Sequence, residues 1–301
     1  MIDSILLQMS IFDPIKKDGD LMFRRISAII ASAVLFLGAV SCGNKSPDNI
    51  KADAGSLTVT FLDIGKADCM VICTENSTAV IDCGEKDDGK KIVKFLKEQG
   101  IETIDHLIIT HYDKDHVGGA AKLIKKLDVK DVMAPDYEEP SDEMENYKKE
   151  LDEKGIIPQL LHEDVSFSMD NAEFTVYAPK QEFYGEDNDN DFSLVTKIVH
   201  GDNTLLFTGD AMEQRLEEIM DIGPCTFLKV PYHGRQLDNL SDFLDAVKPK
   251  CAVVCTSKGE FASSTQNLLK DKDIPFYSTC FNGQIELESN GKEVKITKEK
   301  G

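Results

Sequence analysis

The chain has 301 residues, 41% of them hydrophobic and 29% charged, the balance of a globular protein with a real core rather than of a disordered or membrane-embedded chain. Its formal net charge of −20 argues against tight nonspecific nucleic-acid binding as the main role, because an acidic surface repels a polyanion within a Debye length. A locally basic or metal-lined cleft remains compatible with a phosphodiester.

Residues 1–21 carry no recognisable signal and precede a second Met, so initiation at Met22 is expected. Residues 22–41 read as an export signal, with Arg24 and Arg25 ahead of an apolar stretch over 26–40 that is shorter than a typical membrane span. Ala39-Val40-Ser41 before Cys42 resembles the lipobox of bacterial lipoproteins, with Ala39 where Leu is usual. That resemblance implies an acylated Cys42, two lipid chains for stable anchoring, and a location on the outer face of the cytoplasmic membrane. The alternative is an uncleaved N-terminal membrane helix, and either way the rest of the chain lies outside the cell. The basic and acidic residues of 1–41 balance, so the negative charge belongs to residues 42–301. Residues 42–55 are expected to be the lipidated Cys and a polar tether, and 56–301 the folded domain.

After Gly55 the pattern changes. Short apolar runs at 57–62, 70–73 and 78–81, bounded by turn residues, predict a β-meander. A helix is predicted over 90–99, stopped by Gly100, then a buried strand over 104–109, a helix over 118–127 and a strand over 129–134. Residues 136–154 are acidic and predict an exposed loop and helix. Strands come next near 165–168 and 172–177, then an acidic loop at 186–191, and strands over 193–199 and 203–208. A helix at 212–221, strand at 226–230, helix at 239–247, strand at 251–256, helix at 263–270 and strands at 275–278 and 282–288 complete the reading. β-rich segments followed by strand–helix alternation thus occur twice, either side of about residue 160, which predicts an α/β (α+β) fold: a four-layer αβ/βα sandwich with the site between its halves. None of the eight Cys falls in a Cys-x-x-Cys pair; Cys69, Cys73, Cys251 and Cys255 sit in apolar runs, read as small buried hydrophobes, and no specific disulfide is expected.

One run carries the chemistry: Thr110-His111-Tyr112-Asp113-Lys114-Asp115-His116-Val117-Gly118-Gly119. His111, Asp113, Asp115 and His116 place two imidazoles and two carboxylates within six residues, directly after an apolar strand. That donor set suits Zn, Mn or Fe, and a plain helix-capping turn would explain one Asp but not all four. Asp210 ends another apolar strand, the position of a ligand rather than of a simple cap.

The run resembles the metal motif of the metallo-β-lactamase superfamily, in the variant of the ComEC-like hydrolase domain, where Asp113 stands in place of the commoner His. The resemblance extends over about 57–288. Residues 61–68 (FLDIGKAD) resemble the family's opening Phe-Leu-Asp-Val-Gly-Gln-Gly-Asp, with Lys66 and Ala67 departing from it. Ile81-Asp82-Cys83-Gly84 resembles the strand end whose Asp supports the metal motif. Residues 190–195, with Asn190 and Ser193, resemble Asn-Asn-x-Ser-Leu-Val; 205–210 resemble Leu-Leu-x-Thr-Gly-Asp, whose Asp bridges two metals; 228–234 resemble Leu-Lys-Val-x-His-His-Gly. Tyr232 replaces the first His of that pair, and 257–261 (SKGEF) lacks the family's Asn and His-Pro.

The resemblance implies one or two metal ions, zinc foremost and manganese as alternative, held by His111, Asp113, Asp115, His116, Asp210 and His233. His111 and Asp113 would serve one ion and Asp115, His116 and His233 the other, with Asp210 shared and Asp115 also orienting water. Asp115 and Asp210 are the expected catalytic carboxylates; Asp82, Asn190, Ser193, Lys229 and Tyr232 are the expected supporting or substrate-binding residues. The expected function is a metal-dependent hydrolase, phosphodiesterase- or nuclease-like, acting outside the cell through metal-activated water on a small-molecule or nucleic-acid phosphodiester. Another cell-surface ester such as a phosphorylcholine ester, and a non-catalytic lipid-anchored binding protein on the same fold, are the alternatives.

Overall fold

A computed structural model describes residues 55–185 and 188–300. The export signal, Cys42, its tether and residues 186–187 of the acidic loop lie outside the described residues. In chain order the first part runs β1 (Leu57–Phe61), β2 (Met70–Cys73), β3 (Thr78–Ile81), α1 (Asp88–Glu98), β4 (Thr103–Ile108), α2 (Lys114–Val117), α3 (Ala120–Lys126), β5 (Asp128–Pro135), α4 (Asp142–Lys154) and β6 (Gln159–Leu161). The second part runs β7 (Val165–Met169), β8 (Ala172–Tyr177), β9 (Val195–His200), β10 (Asn203–Phe207), α5 (Glu213–Glu218), β11 (Phe227–Lys229), α6 (Leu240–Val247), β12 (Cys251–Val254), α7 (Ser263–Asp271), β13 (Phe276–Ser278), α8 (Thr279–Asn282), β14 (Ile285–Ser289) and β15 (Val294–Lys298). Short 3-10 turns stand at Asp189–Phe192 and Tyr232–Gly234.

Two sheets result, one ordered β15-β14-β1-β2-β3-β4-β5-β6 and the other β13-β12-β11-β10-β9-β8-β7. Each is antiparallel at one end and parallel at the other: β3 through β6 and β10 through β13 run parallel. Strand alternation sets the layers. In β3, Ala79 and Ile81 face the core between the sheets while Val80 faces the helices; in β10, Leu205 and Phe207 face the same central core while Leu206 faces outward. Strands buried on both faces read as unbroken apolar runs, which is why periodicity located them. Helices α1, α3 and α4 cover one sheet and α5, α6 and α7 the other, so three apolar layers separate four structural layers. Phe61, Phe207 and Phe227 meet at the centre, with ring centroids 5.4 to 6.2 Å apart.

The predicted four-layer α/β sandwich is the observed architecture. Its division at residue 160 is not strict, because β14 and β15 return from the C-terminal end to pair beside β1. Strands β6 and β15 escaped the sequence reading: both are sheet edges, β6 too short at three residues to show a period and β15 carrying two Lys and a Thr among its five. Among the described residues no helix is long and apolar enough to cross a membrane.

Candidate metal centre

The carboxyl ends of the parallel strands converge on one spot. Asp82 follows β3, His111 follows β4, Asp210 follows β10, His233 follows β11 and Cys255 follows β12, while Asp68 stands just before β2 at the same sheet end. Ligands bind outside the carboxyl ends of strands in open α/β sheets because the chain there turns away and leaves polar groups to face a crevice.

Thr110 and Asp82 hold the motif together. Asp82, with a left-handed φ of 60°, accepts from the Thr110 amide at 2.8 Å and from its hydroxyl at 2.7 Å. Its Oδ2 also lies 2.8 Å from His116 Nδ1. With its hydrogen directed to Asp82, the Thr110 hydroxyl is left to accept from His111 Nδ1 at 3.1 Å. His233 Nδ1 lies 3.1 Å from the Cys255 carbonyl. All three imidazoles therefore spend Nδ1–H on the protein and present Nε2, and none of these buried Nε2 atoms makes a hydrogen bond of good geometry. A metal-ligating imidazole has this arrangement, its other nitrogen fixed by a carboxylate, carbonyl or hydroxyl.

Acidic groups face those nitrogens. Asp210 Oδ2 is 2.9 Å from His233 Nε2 and 3.5 Å from His116 Nε2; Asp115 Oδ2 is 3.2 Å from His233 Nε2; Asp113 Oδ2 is 3.6 Å from His111 Nε2. Ligand atoms of Asp68, His116, Asp210 and His233 all lie within 4.8 Å of one another, and all four residues are buried. Lys229 is fully buried too, with Nζ against Asp68, 3.5 Å from Asp210 Oδ1 and 2.8 Å from the Gly209 carbonyl.

The electrostatics arise from that crowding. Burial alone would push Asp115 up, but the His233 imidazole 3.2 Å away and the His116 charge hold it well below the usual carboxylate range. Asp210 is also desolvated, and His233, His116 and Lys229 keep it ionised. Desolvation pulls His233 down, yet Asp210 and Asp115 outweigh it and raise it to about 9; Asp210 and Asp82 raise His116 in the same way. Without a metal, then, protons on imidazole balance the carboxylates, and a cation fits the same nitrogens and oxygens by displacing those protons.

The expected residues fall into place unevenly. His111, Asp115, His116, Asp210 and His233 gather at the centre, and Asp113 sits at its edge with its side chain 41% exposed. Ser193 Oγ accepts from the Asp210 amide at 3.1 Å, fixing that carboxylate's backbone. Asn190 lies in the turn Asp189–Phe192 with a buried, unpartnered Oδ1. Lys229 is not on an accessible wall but between two carboxylates. Tyr232 stands on the rim, its ring 4.9 Å from the Arg235 guanidinium carbon. Sequence reasoning passed over Asp68, although it closes the 61–68 segment; a carboxylate just ahead of an apolar strand was the available signal. Arg235 and Glu260 carried none.

The sequence profile of the metallo-beta-lactamase superfamily matches residues 62–258. The chain belongs to the metallo-beta-lactamase superfamily. Within it, the chain is similar to the ComE operon protein 3 of Bacillus subtilis (strain 168), 28% identical over 255 residues, covering 76% of this chain and 32% of that protein. It is also similar to the competence protein ComA of Neisseria gonorrhoeae, 23% identical over 242 residues, 76% of this chain and 32% of that one. The chain therefore spans about a third of the length of these ComEC-like relatives. Among solved structures, the metallo-beta-lactamase fold protein YhfI from Bacillus subtilis superposes with a TM-score of 0.51 at 12% identity, over 80% of this chain and 100% of that one. The diiron beta-hydroxylase CmlA from Streptomyces venezuelae gives 0.52 at 16%, over 81% and 54%. Both likenesses concern the fold alone.

Proposed function

We propose that the chain is a metal-dependent phosphodiesterase that works outside the cell, anchored to the membrane by a lipid on Cys42. The observation that carries this reading is the trio His111, His116 and His233, each with Nδ1 committed to the protein and a buried Nε2 facing Asp113, Asp115 or Asp210. Asp68, His116, Asp210 and His233 would hold one zinc ion; His111 and Asp113 would extend the centre toward a second, and manganese suits the same donors. Zinc bound there would lower the pKa of a bound water to about 7 and polarise a phosphoryl oxygen. Asp115, whose Oδ2 faces His233 Nε2, would orient the attacking water. Asp82 and Thr110 fix His116 and His111 in the tautomer that leaves Nε2 unprotonated. Lys229 neutralises Asp68 and Asp210, so that the centre is not too acidic to admit an anionic substrate. The ComEC-like likeness and the anionic-ester chemistry of a two-cation site favour a small-molecule or nucleic-acid phosphodiester over a neutral ester.

The test is metal content of the purified protein together with turnover of bis-p-nitrophenyl phosphate and a His116→Ala control. Bound metal and turnover that vanishes in the variant are expected. A protein that stays metal-free and inactive after reconstitution with zinc or manganese would sink the catalytic reading and leave a lipid-anchored binding protein. Anchoring has its own test: labelled palmitate is expected to enter the wild-type protein in cells and not Cys42→Ala.

A further inference from the structure

Three departures from the family pattern stand far apart in the chain: Lys66, Tyr232 and the segment 257–261. The fold brings them to one rim of the metal centre. Lys66 Nζ lies 3.1 Å from Asp115 Oδ2, with its side chain 38% exposed. Arg235 stacks on Tyr232, donates to the Tyr232 hydroxyl at 3.2 Å and to Glu260 Oε1 at 2.5 Å. Ser257 donates to the other Glu260 oxygen at 3.0 Å, so the altered segment orients the carboxylate that orients the arginine. Lys66 reaches Asp115, whose Oδ2 is 3.2 Å from His233 Nε2, and Tyr232 and Arg235 belong to the turn that carries that histidine, so the three groups border one centre. Tyr232, with φ of 49°, and Gly234 flank His233, so the rim is continuous with the centre.

On a chain of net charge −20, two half-exposed cations at the mouth of a carboxylate-rich site call for an explanation. Their partners hold them without burying them: Tyr232 supports one face of the guanidinium, Glu260 occupies one edge, and donors remain for another oxyanion. We propose that Lys66 and Arg235 form a rim subsite that grips the non-bridging oxygens of the substrate's phosphate and selects anionic over neutral esters. Tyr232 and Glu260 are the positioning residues of that subsite, and the tyrosine that replaces a family histidine is a platform for Arg235 instead of a lost ligand. The subsite rests on the phosphodiesterase reading for its substrate, and on the rim geometry for its residues.

The experiment is calorimetric binding of inorganic phosphate to the zinc-loaded protein, alongside kcat and KM for bis-p-nitrophenyl phosphate. Lys66→Gln and Arg235→Gln are each expected to weaken phosphate binding and raise KM by about tenfold, with kcat changed less, since each removes a charge-assisted hydrogen bond. Arg235→Lys should restore much of the loss. Glu260→Gln discriminates: its amide still accepts from Arg235 but no longer neutralises it, so phosphate binding should tighten, whereas a merely structural Glu260 would make it weaken. Unchanged phosphate affinity in Lys66→Gln and Arg235→Gln, with turnover intact, overturns the rim subsite and leaves the hydrolase reading standing. Phosphate binding that depends on Arg235 in a protein with no phosphodiester turnover upholds the rim and overturns the hydrolase reading.

Discussion

Asp82 touches no expected substrate, yet three of the contacts that shape the centre end on it: the Thr110 amide, the Thr110 hydroxyl and His116 Nδ1. An Asp82→Asn change keeps the size but offers one amide where a carboxylate accepted three bonds. Outer-sphere partners of this kind are worth about 10–100-fold in metal affinity. Zinc affinity of Asp82→Asn, measured by competition with a chelator, is expected to fall within that range while the circular dichroism spectrum stays unchanged. Equal affinity in the two proteins would mean that His116 is oriented by Thr110 alone, whose hydroxyl lies 3.4 Å away.

At the level of elements, the site depends on close approach of backbones. The turn of α2 and the start of α3 press against the loop after β3, and a Cβ added at Gly119 would stand 2.1 Å from the Cys83 carbonyl oxygen and 3.0 Å from Gly89 Cα. Nothing there is a flexible side-chain end, so the backbone itself must move. Gly119→Ala is expected to cost about 1–3 kcal/mol or more in chemical denaturation. It should also weaken zinc binding, because the displaced turn carries Asp115 and His116. Helix α4 offers a contrast far from the centre. Ser141 caps it by accepting from the Met144 amide at 3.2 Å, and Ser141→Ala should cost about 1 kcal/mol with zinc affinity unaltered.

For the molecule as a whole, the metal-free protein and the metal complex should respond oppositely to pH. His233 is raised from 6.5 to about 9 by Asp210 and Asp115 against its own desolvation. Its protonated form therefore stabilises the metal-free fold fully below about pH 6.5, and that contribution is lost as pH rises through about 9. Metal binding needs the neutral imidazole, so a proton must leave, and affinity should climb about tenfold per pH unit for each proton displaced across that window. The gain in Tm on adding zinc is accordingly expected to be larger at pH 8.5 than at pH 6.5. A gain independent of pH would mean that His233 is not a ligand.

The sequence alone was enough for most of the strand and helix pattern and for naming the candidate residues of the centre. Apolar strands buried on both faces read as unbroken runs, and the candidate ligands His111, Asp115 and His116 stand close together in the chain just past such a run. Asp82, Asp210 and His233 were legible because each closes a strand with a short, recognisable motif. Tertiary structure decided the rest, since the remaining relations are contacts between residues far apart in the chain. Asp68 meets His233 and Lys229 only because β2 starts where β10 and β11 end. Strand β15 gains its place from pairing with β14, not from its own alternating, lysine-rich residues. Lys66, Tyr232, Arg235 and Glu260 spread over nearly two hundred residues, and local propensity carries no term for a rim assembled at that separation. Local physics writes elements and short motifs into the sequence; which distant side chains meet is set by how two sheets pack.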